Sequence, residues 1–312
     1  MKILLSLLTL ILFQSLIYGQ CSENNEVKTI LIGDSWAFFM GVDQTLNNVY
    51  ENWGHSDIKY YTNTDLSENG AKTIDFLKPD KQQAIVNAFD DYPDVDHVHL
   101  SIGGNDFLGN WKVSYTQQET DDLKDEVIDS LLAVIDFIKG VKPDIHIVWS
   151  GYVYTNFDEV ITNFWSPSNH PFYSTWENME FPTNEEINEQ TVYFLNEIQA
   201  IFDQDPDVTF INAPGLMQNV FGQNDPLEVA PFGTYQQGDA PLPNGFSDYP
   251  SPQNSMRDYG ITKDCFHLSA SGYRAMISYQ TQKYYHKAFM NDAYFIALND
   301  NSTGTVSSNG SF

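Results

Sequence analysis

Ile30-Leu31-Ile32-Gly33-Asp34-Ser35-Trp36 is a run of aliphatic residues that stops abruptly at glycine, acid and hydroxyl. Branched aliphatics bounded by glycine mark a parallel strand covered on both faces, and ligands of such sheets collect at the strand's carboxyl end. Ser35 stands at that end. By itself Gly-Asp-Ser is a weak signal, because a Gly-Asp turn followed by serine also starts a helix without any chemistry. The choice between helix cap and nucleophile rests on the remainder of the chain.

Downstream, Trp36 to Tyr50 can continue as a helix, and Ile58 to Thr62 reads as a second strand leading into Asn69-Gly70-Ala71. From Thr73 the apolar spacing of Ile74, Leu77, Ile85, Ala88 and Phe89 is helical, with a restart expected at Lys78-Pro79. Val95 to Ile102 forms a third strand that stops at Gly103-Gly104-Asn105-Asp106. Asp121 to Lys139 puts Leu123, Val127, Leu131, Val134 and Ile138 on one helical face, with Gly140 as a stop. Ile145 to Ser150 is a fourth strand, Glu185 to Phe202 a helix, and Val208 to Asn212 a fifth strand. Asp264 to Tyr285 closes the chain with a turn and a helix. Repeated alternation of strand and helix predicts an α/β fold, a parallel five-stranded sheet with helices on both faces. The polar turns at Ser35, Gly70, Asn105 and Asp264 to His267 then gather at one sheet edge.

Two long segments interrupt the alternation. Residues 151–182 hold Tyr152, Tyr154, Phe157, Phe164, Trp165, Phe172, Tyr173 and Trp176. A connection of that length implies function or disorder, and its aromatic content argues against disorder. Lining a substrate cleft and packing over the helices remain equal alternatives for it. Residues 213–263 are rich in Pro, Gly and Asn and read as an irregular covering.

The formal net charge is -27, from 15 basic and 42 acidic residues. That balance argues against nucleic acid or any other polyanion as partner. Lys2, the apolar stretch from Ile3 to Ile17 and the small or polar Gly19 and Gln20 have the three regions of a secretory leader over residues 1–20. The stretch is shorter than the roughly 20 residues a spanning helix needs. An exported protein, secreted or periplasmic, with no membrane span after leader removal is therefore expected. Only Cys21 and Cys265 remain beyond the leader, too few for a disulfide scaffold, and one bridge or two free thiols fit equally. The tail over 299–312 is Asn-, Ser-, Thr- and Gly-rich and reads as disordered, with glycosylation acceptors at Asn301 and Asn309 if the host glycosylates.

A serine becomes a nucleophile when an imidazole takes its proton, a carboxylate holds that imidazole, and N–H donors meet the developing oxyanion. Asp264-Cys265-Phe266-His267 sets a carboxylate three residues before a histidine, within reach of the ring nitrogen turned away from Ser35. The Ser35 and Gly70 backbones and the Asn105 amide are candidate donors. Asp34 and Asp106 are expected to tie turns, and Arg257 to pair with nearby acids. His97 and His99 share one strand face without a further ligand motif, so they read as strand or surface histidines rather than a metal pair. Asp203, Asp205 and Asp207 lack the glycine and distal glutamate of a calcium loop and read as a solvated turn.

In order and on the expected elements, Gly33-Asp34-Ser35, Gly70 in Asn69-Gly70-Ala71, Gly103-Gly104-Asn105-Asp106 and Asp264-Cys265-Phe266-His267-Leu268-Ser269 resemble the four sequence blocks of the SGNH, or GDSL, hydrolases. The resemblance runs from about Thr29 to Tyr285 and assigns 21–290 to a hydrolase domain. It implies a flavodoxin-like three-layer α/β/α sandwich with Ser35 as nucleophile, His267 as base and Asp264 as its orienter. It also implies an oxyanion hole from Ser35, Gly70 and Asn105. Trp36 departs from the family pattern, where leucine is usual, and sets a bulky indole beside the nucleophile. The expectation is a serine esterase that needs neither metal nor organic cofactor and leans towards carbohydrate or other small acyl esters. Trp36, Tyr152, Tyr154, Trp165 and Trp176 are its candidate substrate contacts. A lipase or lysophospholipase-type esterase and a non-catalytic glycan-binding module on the same scaffold are the alternatives.

Overall fold

Ile30, Leu31 and Ile32 are fully buried because β1 (Glu26–Gly33) lies between two parallel neighbours, β2 (Ile58–Tyr61) and β3 (His97–Ser101). In the computed structural model, which describes residues 26–222 and 238–290, β4 (His146–Trp149) pairs with β3, and β5 (Val208–Phe210) with β4. All four pairings are parallel and the order across the sheet is β2-β1-β3-β4-β5. The leader over 1–20, Cys21, the tail over 299–312 with Asn301 and Asn309, and part of the segment 213–263 lie outside the described residues.

Side chains alternate across a strand, so each strand feeds two cores. Ile30, Ile32, Val98, Leu100, Ile147 and Trp149 face the helices Pro79–Asp91, Gln117–Val141 and Asn184–Phe202. Leu31 and Val148 face the helices Ser35–Val42, Thr45–Asn52, Leu216–Phe221 and Ala270–Gln280. The result is the three-layer α/β/α sandwich expected from the sequence. Each fully buried aliphatic side chain stabilises it by about 1.5–3 kcal/mol, which is why β1 carries the apolar run Ile30 to Ile32 and β4 the run Ile147 to Trp149.

Several elements differ from their expectations. The helix expected over Trp36 to Tyr50 is two helices, broken where Gln44 takes φ 51 and its Nε2 donates to the Gly41 carbonyl. The long helix starts at Gln117 rather than Asp121, since Thr116 and Glu119 cap each other's backbone N–H groups. The insertion 151–182 contains the short helices Phe157–Thr162 and Tyr173–Asn178. These press Phe157, Val160, Ile161 and Met179 onto Phe107, Trp111 and Cys265 in a third apolar cluster. Cys265 is a free, fully buried thiol whose pKa burial raises.

Within 213–263 the described residues include the helix Leu216–Phe221 and β6 (Met256–Tyr259), which pairs antiparallel with β7 (Thr262–Leu268). Asp264 to His267 therefore lie on a strand, not in a turn. His97 and His99 are not surface residues: they are 6% and 0% exposed, because the helical segment that bears Tyr284 and Tyr285 covers their sheet face. His97 Nε2 meets the Tyr284 hydroxyl at 3.1 Å, and His99 Nδ1 the Tyr285 hydroxyl at 2.9 Å. Among the described residues no helix is long and apolar enough to cross a membrane, and no group of three or more His, Cys, Asp or Glu could hold a metal.

Candidate active site

The turn after β1 depends on Gly33. A Cβ there would sit 1.8 Å from the Ser101 carbonyl oxygen of β3, and that same oxygen accepts from the Asp34 N–H at 2.9 Å. Asp34 then caps the next helix, its Oδ1 accepting from the Trp36 N–H at 2.9 Å. Ser35 is the first residue of that helix, where the N–H has no intrahelical carbonyl to reach.

Ser35 Oγ lies 2.6 Å from His267 Nε2. His267 Nδ1 lies 2.8 Å from Asp264 Oδ2. Asp264 Oδ1 in turn accepts from the backbone N–H groups of Phe266 and His267, each at 2.9 Å. A carboxylate so anchored draws the imidazole proton to Nδ1 and leaves Nε2 as an acceptor, the tautomer that can take a hydroxyl proton. All three side chains are buried. The Phe39 and Phe266 rings flank the imidazole with centroids 4.9 and 4.2 Å away, so little water competes for the relay.

The loop that bears Gly70 is tied to the end of β1, where the Gly33 N–H donates to the Leu66 carbonyl and the Glu68 N–H to the Gly33 carbonyl. Gly70 takes φ 79, a left-handed conformation that favours glycine. Beyond it the Ala71 carbonyl accepts from Asn105 Nδ2 at 3.0 Å. This bond uses one of the two amide hydrogens, and the other is left for a ligand. Asp106 binds the N–H and hydroxyl of Thr73, and Arg257 pairs with Asp43 while lying over the Phe39 ring at 4.1 Å. Lys139 bridges to Asp205 and Asp207.

A cavity of about 50 Å³ opens beside Ser35 and Asn105, walled by Trp36, Phe107, Leu108, Tyr152, Phe194 and Leu195 among others. Trp36 and Tyr152, two of the expected contacts, meet edge to face at 4.9 Å. The Tyr152 hydroxyl donates to Asp34 Oδ2 at 2.6 Å. Burial raises the Asp34 carboxyl to about 7, against the opposing pull of the Tyr152 and Trp36 donors. The other three expected contacts lie elsewhere. Tyr154 is buried outside the cavity walls, Trp176 donates from Nε1 to the Pro182 carbonyl, and Trp165 is 77% exposed. The residues that sequence reasoning missed are Phe107, Leu108, Phe194, Leu195 and Phe266. Phe107 and Leu108 directly follow the Gly-Gly-Asn-Asp block and Phe266 directly precedes His267, which is the one signal that could have found them.

Fold and site together define an ester hydrolase of the SGNH type. The chain belongs to the GDSL-like Lipase/Acylhydrolase family, whose pattern matches residues 31–275. No curated protein matches it by sequence. Among solved structures it is similar to a Clostridium thermocellum family 3 carbohydrate esterase, with 17% identity, a TM-score of 0.43, and coverage of 82% of this chain and 94% of that one. It is also similar to the periplasmic domain of a lipopolysaccharide acetyltransferase from Salmonella ser. Paratyphi A, with 19% identity, a TM-score of 0.42 and coverage of 85% and 84%. A lipase, Lip_vut3, from a goat rumen metagenome shares 12% identity, with a TM-score of 0.45 and coverage of 83% and 98%. Likenesses this distant carry no argument about substrate.

Proposed function

We propose that the chain is an exported serine esterase that works through an acyl-enzyme on Ser35 and removes acyl groups from carbohydrate hydroxyls. The observation that carries the chemistry is the relay from Asp264 through His267 to Ser35, at 2.8 and 2.6 Å. Ser35 Oγ bonds to the ester carbonyl carbon as its proton passes to His267 Nε2. The oxyanion is met by the N–H groups of Ser35 and Gly70 and by the second hydrogen of Asn105 Nδ2. The bond to the alcohol oxygen then breaks, and His267 returns the proton to that oxygen. Water adds to the acyl-enzyme by the same steps, giving its proton to His267, and Ser35 leaves with that proton. Export rests on the leader-like sequence of residues 1–20.

The alcohol must lie on the side of His267, because that ring protonates it. From His267 a line of rings runs outward: Phe266 at 4.2 Å, Phe172 at 5.1 Å from Phe266, and Tyr259 at 5.2 Å from Phe172, 49% exposed. Rings with an apolar body and a wet edge suit sugar faces, and the strongly acidic composition favours a neutral glycan. The test holds the acyl group at acetyl and varies the alcohol. An acetylated neutral oligosaccharide is expected to exceed triacetin in kcat/KM by at least about tenfold. Preference for triacetin would move the reading to a glycerolipid-type esterase, and glycan binding without acetate release to a binding module.

A further inference from the structure

The cavity beside Ser35 is walled by Ser35 and Asn105 but not by His267, and Phe266, whose ring neighbours His267, is the wall it shares with the side of the leaving alcohol. A group bound there is therefore on the acyl side of an ester whose carbonyl oxygen points at Asn105 and whose alcohol oxygen points at His267. The inference rests on the acyl-enzyme reading given above.

The walls are apolar and held in place. Trp36 is wedged edge-on between Tyr152 and Tyr273, at centroid distances of 4.9 and 5.5 Å. Tyr152 is pinned at its hydroxyl by Asp34 at 2.6 Å, and its ring packs so close to Gly104 that a Cβ there would lie 2.7 Å from it. On the far wall Phe107 stacks between Trp111 and Phe194, at 5.6 and 6.2 Å. Rings locked on several sides do not swing aside for a longer guest at low cost.

The volume then sets the guest. A single water needs roughly 10–15 Å³ of such space, and a cavity of roughly 150 Å³ accepts benzene. A space of about 50 Å³ lies between them and holds a chain of about two or three carbons on that scale. We propose that this cavity is an acyl pocket that admits acetyl and propionyl groups and rejects acyl chains longer than about four carbons, with Trp36 and Tyr152 as its closing wall.

The test keeps one leaving group, p-nitrophenol, and lengthens the acyl chain from acetyl to octanoyl. Wild-type kcat/KM is expected to peak at acetyl or propionyl and to fall at least about tenfold by hexanoyl. Phe107→Ala should move the peak towards butyryl and hexanoyl. Leu108→Ala, at a half-buried position, enlarges the same wall with less risk to the core and should move the peak the same way. A wild-type profile that rises to octanoyl overturns the proposal, as does a peak at acetyl that neither folded variant moves. Ser35→Ala separates the two levels: if it retains hydrolysis, the acyl-enzyme reading itself has failed, whereas an inactive Ser35→Ala with an octanoyl-preferring wild type refutes the pocket alone.

Discussion

His267 and His99 are both buried histidines on strands, and each has Nδ1 held by an oxygen: a carboxylate at 2.8 Å for His267, a phenol at 2.9 Å for His99. At the opposite ring nitrogen they part. His267 Nε2 faces the Ser35 hydroxyl at 2.6 Å, while His99 Nε2 has no hydrogen-bond partner among the described residues. The residue type is the same and the surroundings decide its use. A carboxylate anchored by two backbone N–H groups orients the His267 ring and leaves Nε2 to take the Ser35 proton. His99 has only a phenol beside it under an apolar layer, and burial drives its imidazole down to about 3.

The comparison is broken most severely by disabling the His267 relay. Ser35→Ala is expected to lower kcat for acetyl esters by about 10⁴-fold or more, leaving what the oxyanion donors supply alone. Asp264→Asn keeps the volume but replaces the acceptor of the Nδ1 proton, and a loss of about 10²–10⁴-fold in kcat with nearly unchanged KM is expected from steady-state kinetics. A comparable rise in KM with kcat unchanged would mean that Asp264 shapes binding rather than the base.

His99→Gln sharpens the other half of the comparison and touches stability alone. An unfolded histidine titrates near 6.5 and the folded His99 near 3, so the unfolded chain binds the extra proton between those values. Stability from the neutral buried ring is complete above about pH 6.5 and is lost as pH falls towards 3. The fall in Tm from pH 7 to pH 4 should therefore be smaller in His99→Gln than in the wild type, by about 2–4 °C or more. Esterase activity at pH 7.5 should match the wild type, and equal acid sensitivity would show that His99 is not held neutral.

Ser35, Asp264 and His267 were legible in the sequence only jointly: Gly-Asp-Ser alone also starts a helix, and the later polar blocks, in order along the chain, singled out the serine. The aliphatic run of β1 and the repeated alternation of strand and helix made the parallel sheet legible as well. Phe107, Leu108, Phe194 and Leu195 were not, since an apolar residue lining a pocket has the same pattern as one filling a core. The β6 and β7 hairpin was hidden because Met256 to Tyr259 is short and carries Arg257 and Asp258 without apolar alternation. His97 and His99, alternating with Val98 and Leu100, read as strand or surface histidines. Their cover comes from Tyr284 and Tyr285, nearly two hundred residues later, and local pattern holds no trace of it.

The acyl-enzyme on Ser35 is tested most directly by quenching the wild-type protein with a fluorophosphonate and mapping the adduct by peptide mass spectrometry. One adduct per chain is expected, on the peptide that contains Ser35, with labelling lost in His267→Ala. An adduct on any other residue, or none on a protein that hydrolyses acetyl esters, would contradict the assignment of Ser35 as the nucleophile.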